Sequence, residues 1–264
     1  MQTEVSTPQE NSNGSQETNK PPRPVGRSNL PLPNPDQIAA AKAHLNKMPL
    51  DVVPAPAPLP AGSRMPWPEN KRFVGRETEL LDLAGVLHSG QMAAIGQFSA
   101  AGRFGGVGKT TLAIAFAYHY GQFFAGGVHW INCKDPDQID VEFASLLQSG
   151  IDGLSQARYD LTTLPLNQQT NIVRQRLRLD IPRLLIFDNC EDPGILELYV
   201  PDQGGTRVLI TSTQAEWPAS IYHLPLRSLP RGRSVTLLGR YAALSDAAQL
   251  TTLAGNLGDM PLAL

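Results

Sequence analysis

Gly105-Gly106-Val107-Gly108-Lys109-Thr110-Thr111 is the stretch of this 264-residue chain whose residue types and spacing imply chemistry most directly. Glycines let a backbone curl tightly enough for several N–H groups to face one anion. A helix starting at the same place adds unsatisfied N–H groups and the positive end of its dipole. The run that follows, Thr110 to Tyr120, reads as such a helix, and Met92-Ala93-Ala94-Ile95-Gly96 upstream reads as the strand that feeds the loop. In this arrangement Lys109 reaches the outer phosphates of a polyphosphate, and the Thr110 hydroxyl sits on Mg²⁺. The strict pattern G-x-x-x-x-G-K-[ST] requires glycine at position 103, where the chain has Arg103. Removing Gln97 to Arg103 joins Gly96 to Phe104 and restores a complete match, which identifies those residues as an insertion between strand and loop.

A phosphate-bound Mg²⁺ wants oxygen ligands and keeps several waters, so a second strand should carry an acid beside the loop. Leu184-Leu185-Ile186-Phe187-Asp188 fits, being four apolar residues ending in a carboxylate, with Asn189, Glu191 and Asp192 just after. Thr110 and Asp188 are thus the candidate metal-side residues. Asp188, Asn189 and Glu191 are the candidate catalytic set. Asn189 carries no basic group, which leaves Glu191 as the acceptor available to activate a water.

These residues must be held by a framework, and the texture of the chain supplies one. Residues 1–72 hold 14 of the 23 prolines. The polar stretch from Gln2 to Asn19 buries too little to offset its ordering entropy, Pro21 to Pro35 reads as extended or polyproline-like, and 1–35 together reads as a disordered tail. Residues 36–72 read as a short helix from Asp36 to Met48, then a proline-rich stiff spacer. From 73 to 230, apolar runs at 92–96, 127–133, 183–188 and 207–212 alternate with helical patterns at 76–88, 109–121, 136–149 and 167–179. This alternation predicts an α/β fold with a parallel sheet covered by helices on both faces. The strands are nearly continuous in apolar residues, as expected when both faces are buried. Residues 231–264 show only helical patterns, so the sheet should end before them and a small helical domain begin.

The net charge of −2 and an aromatic content of 6% argue against a nucleic-acid-binding surface. No apolar run reaches membrane-spanning length, and the N-terminus has no signal-peptide pattern. Cys133 and Cys190 are too few for a disulfide framework and suit a reducing, cytoplasmic setting. None of the five histidines has metal-ligand spacing, and His129, between Val128 and Trp130 in a strand, reads as packed.

Five ordered pieces together resemble the STAND class of P-loop NTPases, of the NB-ARC type found in bacterial proteins with helical repeats. They are Phe73-Val74-Gly75-Arg76-Glu77-Thr78-Glu79-Leu80, the loop at 105–111, Gly127 to Asn132, Leu184 to Asp192, and Leu257-Gly258-Asp259-Met260-Pro261-Leu262-Ala263-Leu264. The resemblance implies that Val74 and Arg76 contact adenine, largely through backbone groups. It also implies that Gly105, Gly106, Val107, Gly108, Lys109, Thr110 and Thr111 hold the phosphates and that Pro261 rests against the bound nucleotide. The implied ligands are ATP or ADP with Mg²⁺. The implied function is a signalling switch with slow hydrolysis and nucleotide-dependent self-association, and the implied fold is the P-loop NTPase sheet. The same resemblance places Leu264 at the start of an incomplete helical domain, with further domains beyond.

Two departures fall where a third phosphate would lie. One is the 97–103 insertion. The other is Thr213, which stands where the family carries an arginine and cannot make a bidentate contact with phosphate. They leave open a degenerate scaffold without turnover. A conventional AAA+ ATPase is the other alternative, and Asn189, where such an enzyme carries glutamate, counts against it.

Overall fold

The structure, a computed structural model, describes residues 32–97, 106–149, 164–214, 216–241 and 246–263. The expected tail through residue 31, Gly105, and the insertion from residue 98 to 103 lie outside the described residues.

In chain order the elements are α1 (Pro35–Leu45), α2 (Glu77–Ser89), β1 (Met92–Gln97), α3 (Lys109–Tyr120), β2 (Val128–Asn132), α4 (Ile139–Ala144), α5 (Leu146–Ser149), α6 (Leu166–Leu177), β3 (Arg183–Asp188), α7 (Gly194–Tyr199), β4 (Thr206–Thr211), β5 (Ile221–Leu226), α8 (Arg231–Tyr241) and α9 (Ala247–Asn256). The five strands form one sheet in the order β2-β3-β4-β1-β5, and every pair is parallel. This is the parallel α/β sheet expected of a P-loop NTPase fold. β1, β3 and β4 are interior, so their apolar residues face a layer on each side. Ala93, Ile95, Leu184, Ile186 and Leu209 pack with α2 and α3, while Ala94, Leu185, Phe187, Val208 and Ile210 pack with residues of α4, α6 and α7.

The order carries a consequence for chemistry. β4 lies between β1, which feeds the phosphate loop, and β3, which ends at Asp188. Parallel strands put all their C-terminal ends on one side, so the loop, the acid and the end of β4 meet there.

Three local features differ from the sequence reading. β5 was not among the expected strands. It is an edge strand holding Pro225, and a proline without an N–H is tolerated at a sheet edge. The expected helix over 136–149 is divided into a short 3₁₀ turn, α4 and α5, and at the break the Ser145 hydroxyl donates to the Glu142 carbonyl, a local bond that competes with the helix ladder. The proline-rich stretch does not act as a free spacer but is strapped to the domain. Extended proline-rich backbone leaves its own N–H and C=O groups free. The Ala57 N–H here donates to the Tyr118 carbonyl in the last turn of α3, and His119 Nδ1 donates to the Pro54 carbonyl. Val53, Leu59 and Met65 pack on the core beside buried Leu45 and Met48.

The outer edge of β2 is closed by Arg64. Its N–H donates to the Val128 carbonyl, its own carbonyl accepts from Trp130, and its guanidinium reaches Trp130 O and Glu142. Covering an edge in this way removes a template for pairing with another chain. His129 is fully buried, with Nε2 donating to the Gly126 carbonyl. Cys133 and Cys190 are free and buried at the ends of β2 and β3. α8 and α9 pack against each other around Leu238, Leu250 and Ala254.

Candidate functional site

The phosphate loop enters α3 through two glycines in the left-handed region, Gly106 (φ 99°) and Gly108 (φ 95°), where a side chain would be strained. Gly108 is the N-cap of α3 and no side chain caps the helix. The first N–H groups of α3, those of Lys109, Thr110 and Thr111, therefore have no intrahelical partner and are available to an anion.

These groups open into a cavity of about 590 Å³, within the usual range for small-molecule sites. Its walls bring together four parts of the chain: the segment through Phe73, Val74 and Arg76; the loop Gly106 to Thr111; Asn189 and Thr213 at the strand ends; and Leu229, Leu237, Tyr241, Pro261 and Leu262 from the helical unit. Of the residues expected to bind nucleotide, Val74, Arg76, Gly106, Val107, Gly108, Lys109, Thr110, Thr111 and Pro261 all line this one cavity.

Lys109 forms no hydrogen bond or ion pair with any described residue. Burial pushes its pKa down, while the carboxylates of Glu191 and, more weakly, Asp188 pull it back up. A half-buried ammonium facing a cavity without a partner suits an anionic ligand. Thr110 Oγ1 donates to Asp188 Oδ1 at 2.9 Å, so the two candidate metal-side residues touch. Asp188 is further fixed by the Thr211 hydroxyl, which donates to the same oxygen and in turn accepts the Asn189 N–H at 3.0 Å. Among the described residues no group of three or more His, Cys, Asp or Glu side chains is placed to hold a metal unaided. Mg²⁺ at a phosphate site needs only one or two protein oxygens, with phosphates and water filling the rest, so Thr110 and Asp188 fit that ion.

The Arg76 guanidinium is engaged within the protein, while the residue itself lines the cavity. It is buried, with φ 68°, and its guanidinium donates to Glu79 at 2.7 Å, to the Val107 carbonyl at 3.5 Å and to the Arg227 carbonyl at 2.5 Å. It ties the start of α2 to the phosphate loop and to the chain after β5, so its side chain positions the cavity wall. Pro261 lies over Gly108, with its Cγ 3.7 Å from where a Cβ would stand, and the Leu262 N–H donates to the Gly106 carbonyl.

Glu191, the candidate acceptor for a water proton, is engaged elsewhere. Both of its carboxylate oxygens accept the Thr213 N–H, at 2.8 and 3.1 Å, and one also accepts the hydroxyls of Ser212 (3.0 Å) and Thr213 (2.9 Å). Asn189, in the left-handed region at φ 57°, lines the cavity while its amide points back to Asp188.

Sequence reasoning missed the far wall. Arg72 lies over the Tyr241 ring at 4.5 Å, a cation–π contact, and Arg240 donates to the Phe73 carbonyl. Leu237 and Tyr241, four apart on α8, carry the helical spacing that could have marked them as one face.

No protein-family profile matches the chain, and no curated protein does. Among solved structures it is similar to a STAND ATPase with a tetratricopeptide repeat sensor from Pyrococcus horikoshii, at 16% identity and TM-score 0.44, covering 78% of this chain and 30% of that one. It is also similar to the Drosophila ORC bound to DNA, at 12% identity and TM-score 0.45, covering 92% of this chain and 62% of that one. The chain thus spans less than two thirds of the length of either.

Proposed function

We propose that this chain is the nucleotide-binding part of an adenine-nucleotide switch of the STAND type, holding ADP or ATP with Mg²⁺ and hydrolysing ATP slowly at most. The observation that carries the reading is Lys109: a half-buried ammonium without a partner among the described residues, at an uncapped helix start, in a cavity walled on its far side by the helical unit. The phosphates would rest on the N–H groups of Lys109, Thr110 and Thr111, and the adenine against the Phe73–Val74 backbone under Pro261. When bound, Mg²⁺ would neutralise phosphate charge, held by Thr110 and Asp188. A ligand touching both the sheet and the α8–α9 unit holds them together, which is how occupancy would report to the rest of a longer protein and bias self-association. Slow turnover follows from the acids: Asn189 is no base, and the Glu191 carboxylate is already taken by three donor groups.

Titration calorimetry with MgADP on the purified chain tests this. Binding should be seen, and Lys109→Ala should weaken it roughly tenfold to a hundredfold, the loss expected for one charge-assisted contact. Equal heats for wild type and variant, or none for the wild type, would overturn the proposal. GDP in place of ADP tests the adenine assignment.

A further inference from the structure

The end of β4 and the loop after β3 form an arrangement whose charge runs opposite to the one the resemblance implies. An arginine at position 213 would present a cation to the outermost phosphate. The chain has Thr213, whose N–H and hydroxyl both donate to Glu191, joined by the hydroxyl of Ser212. Both oxygens of the carboxylate are used, and every donor comes from the two residues that follow β4. A carboxylate on a loop is thereby pinned to a strand end that is part of the cavity wall, since Thr213 lines the cavity with Lys109 and Asn189.

Its position has an electrostatic consequence. β4 lies between β1 and β3, so its end stands between the phosphate loop and Asp188. Asp188 accepts the hydroxyls of Thr110 and Thr211 and stands on the metal side, where Mg²⁺ would offset its charge when bound. Glu191, held by the donors of Ser212 and Thr213, acts on the Lys109 ammonium more strongly than Asp188 does. A diphosphate can share Lys109 with Glu191; a third phosphate brings further negative charge to the same ammonium, since a lysine at this place in the loop serves the outer phosphates.

We infer that Glu191, fixed by Ser212 and Thr213, is a specificity-determining residue that favours a nucleoside diphosphate over the triphosphate. Thr213 and Ser212 are positioning residues that act through it. This deepens the nucleotide reading and rests on it. The site is then biased toward its diphosphate form by the chain itself, before any contribution from hydrolysis.

The test is the ratio of two affinities, measured by calorimetry on the full chain with MgADP and with the Mg²⁺ complex of the non-hydrolysable β,γ-imido analogue of ATP. The wild type should favour ADP. Glu191→Gln keeps the shape and removes the charge, and should move the ratio toward the triphosphate analogue by roughly tenfold, the scale of one partly solvated charge at short range. Thr213→Val with Ser212→Ala leaves the charge but releases it, and should move the ratio the same way by less. Thr213→Arg should move it furthest. ADP binding with a ratio that Glu191→Gln leaves unmoved would overturn this inference alone. Absence of binding by either nucleotide to the wild type would take down the nucleotide reading and this inference together.

Discussion

The Leu262 N–H donates to the Gly106 carbonyl at 3.1 Å, so the chain leaving α9 is bonded to the phosphate loop itself. The contact is tight as well as polar: a Cβ on Gly106 would stand 2.8 Å from the Leu262 Cβ. Any motion of the α8–α9 unit must therefore break or carry this bond. The same short segment places Pro261 over Gly108, and the Asp259 carboxylate receives a two-pronged contact from Arg231 at the start of α8.

Gly106→Ala tests this closure. The substitution meets both a left-handed backbone and Leu262, and should destabilise the chain by about 1–3 kcal/mol. Leu262 is largely exposed, so Leu262→Gly alone should cost roughly 1 kcal/mol or less. In the double variant the steric part of the penalty disappears while the backbone part stays. A thermal-unfolding cycle should show a coupling of about 1 kcal/mol between the two positions; simple additivity would mean the segment does not seat on the loop.

Lys109 gives a pH dependence. Burial holds its pKa below the ordinary lysine value in the free protein, and phosphate would raise it. Binding therefore takes up a proton between the two values, and affinity falls as pH rises through the lowered one. For folding the sign is reversed. The unfolded chain binds more protons in that window, so the ligand-free protein gains stability as pH rises through it. Calorimetry over a series of alkaline pH values up to the ordinary lysine range, in two buffers of different ionisation enthalpy, should report net proton uptake on MgADP binding. Uptake equal to zero across the alkaline range would show that Lys109 does not meet the phosphates.

The interior strands were legible because they are buried on both faces and need no partner to be recognised. Arg183–Asp188 has the bounds that its apolar run predicts, and the others agree within a residue or two. β5 was not, since an edge strand with a proline and partial exposure looks like a loop. The phosphate loop could be read from local spacing alone. The Glu191–Thr213 pairing could not, because it depends on β4 lying beside β3, and strand order is a long-range property. Thr213 read as the absence of an arginine, whereas its place beside Glu191 supplies the opposite charge. The strap over α3 was likewise hidden: alternating prolines predict an extended chain but not the surface on which it lies.

The two thiols give a probe of the core. Cys133 is 4% exposed and Cys190 not at all; a hydrogen bond donated by Cys133 to Cys190, ahead of burial, pushes the Cys133 thiol well above its usual range, and the same bond holds the Cys190 thiol below its own. A thiol-specific disulfide reagent should find neither cysteine in the native chain on a timescale of minutes, and both in denaturant. Rapid native labelling of either would show that the ends of β2 and β3 open more readily than this packing allows.

Arg76 should be the costliest single loss near the site. Its guanidinium is buried and serves three acceptors on three separate segments: Glu79 on α2, the Val107 carbonyl in the phosphate loop and the Arg227 carbonyl after β5. Arg76→Met keeps the bulk and leaves those oxygens without their donor, with an expected loss of about 2–3 kcal/mol. Arg76→Lys should recover little, because one ammonium cannot span a forked set of acceptors. Arg76→Gly relieves the left-handed φ yet forfeits every tie, so it should fall on the side of Met and not of wild type. Urea unfolding separates these outcomes through the midpoint at constant m-value. A Lys variant as stable as wild type would reduce Arg76 to a surface charge and remove it as the tie between the α2 start and the phosphate loop.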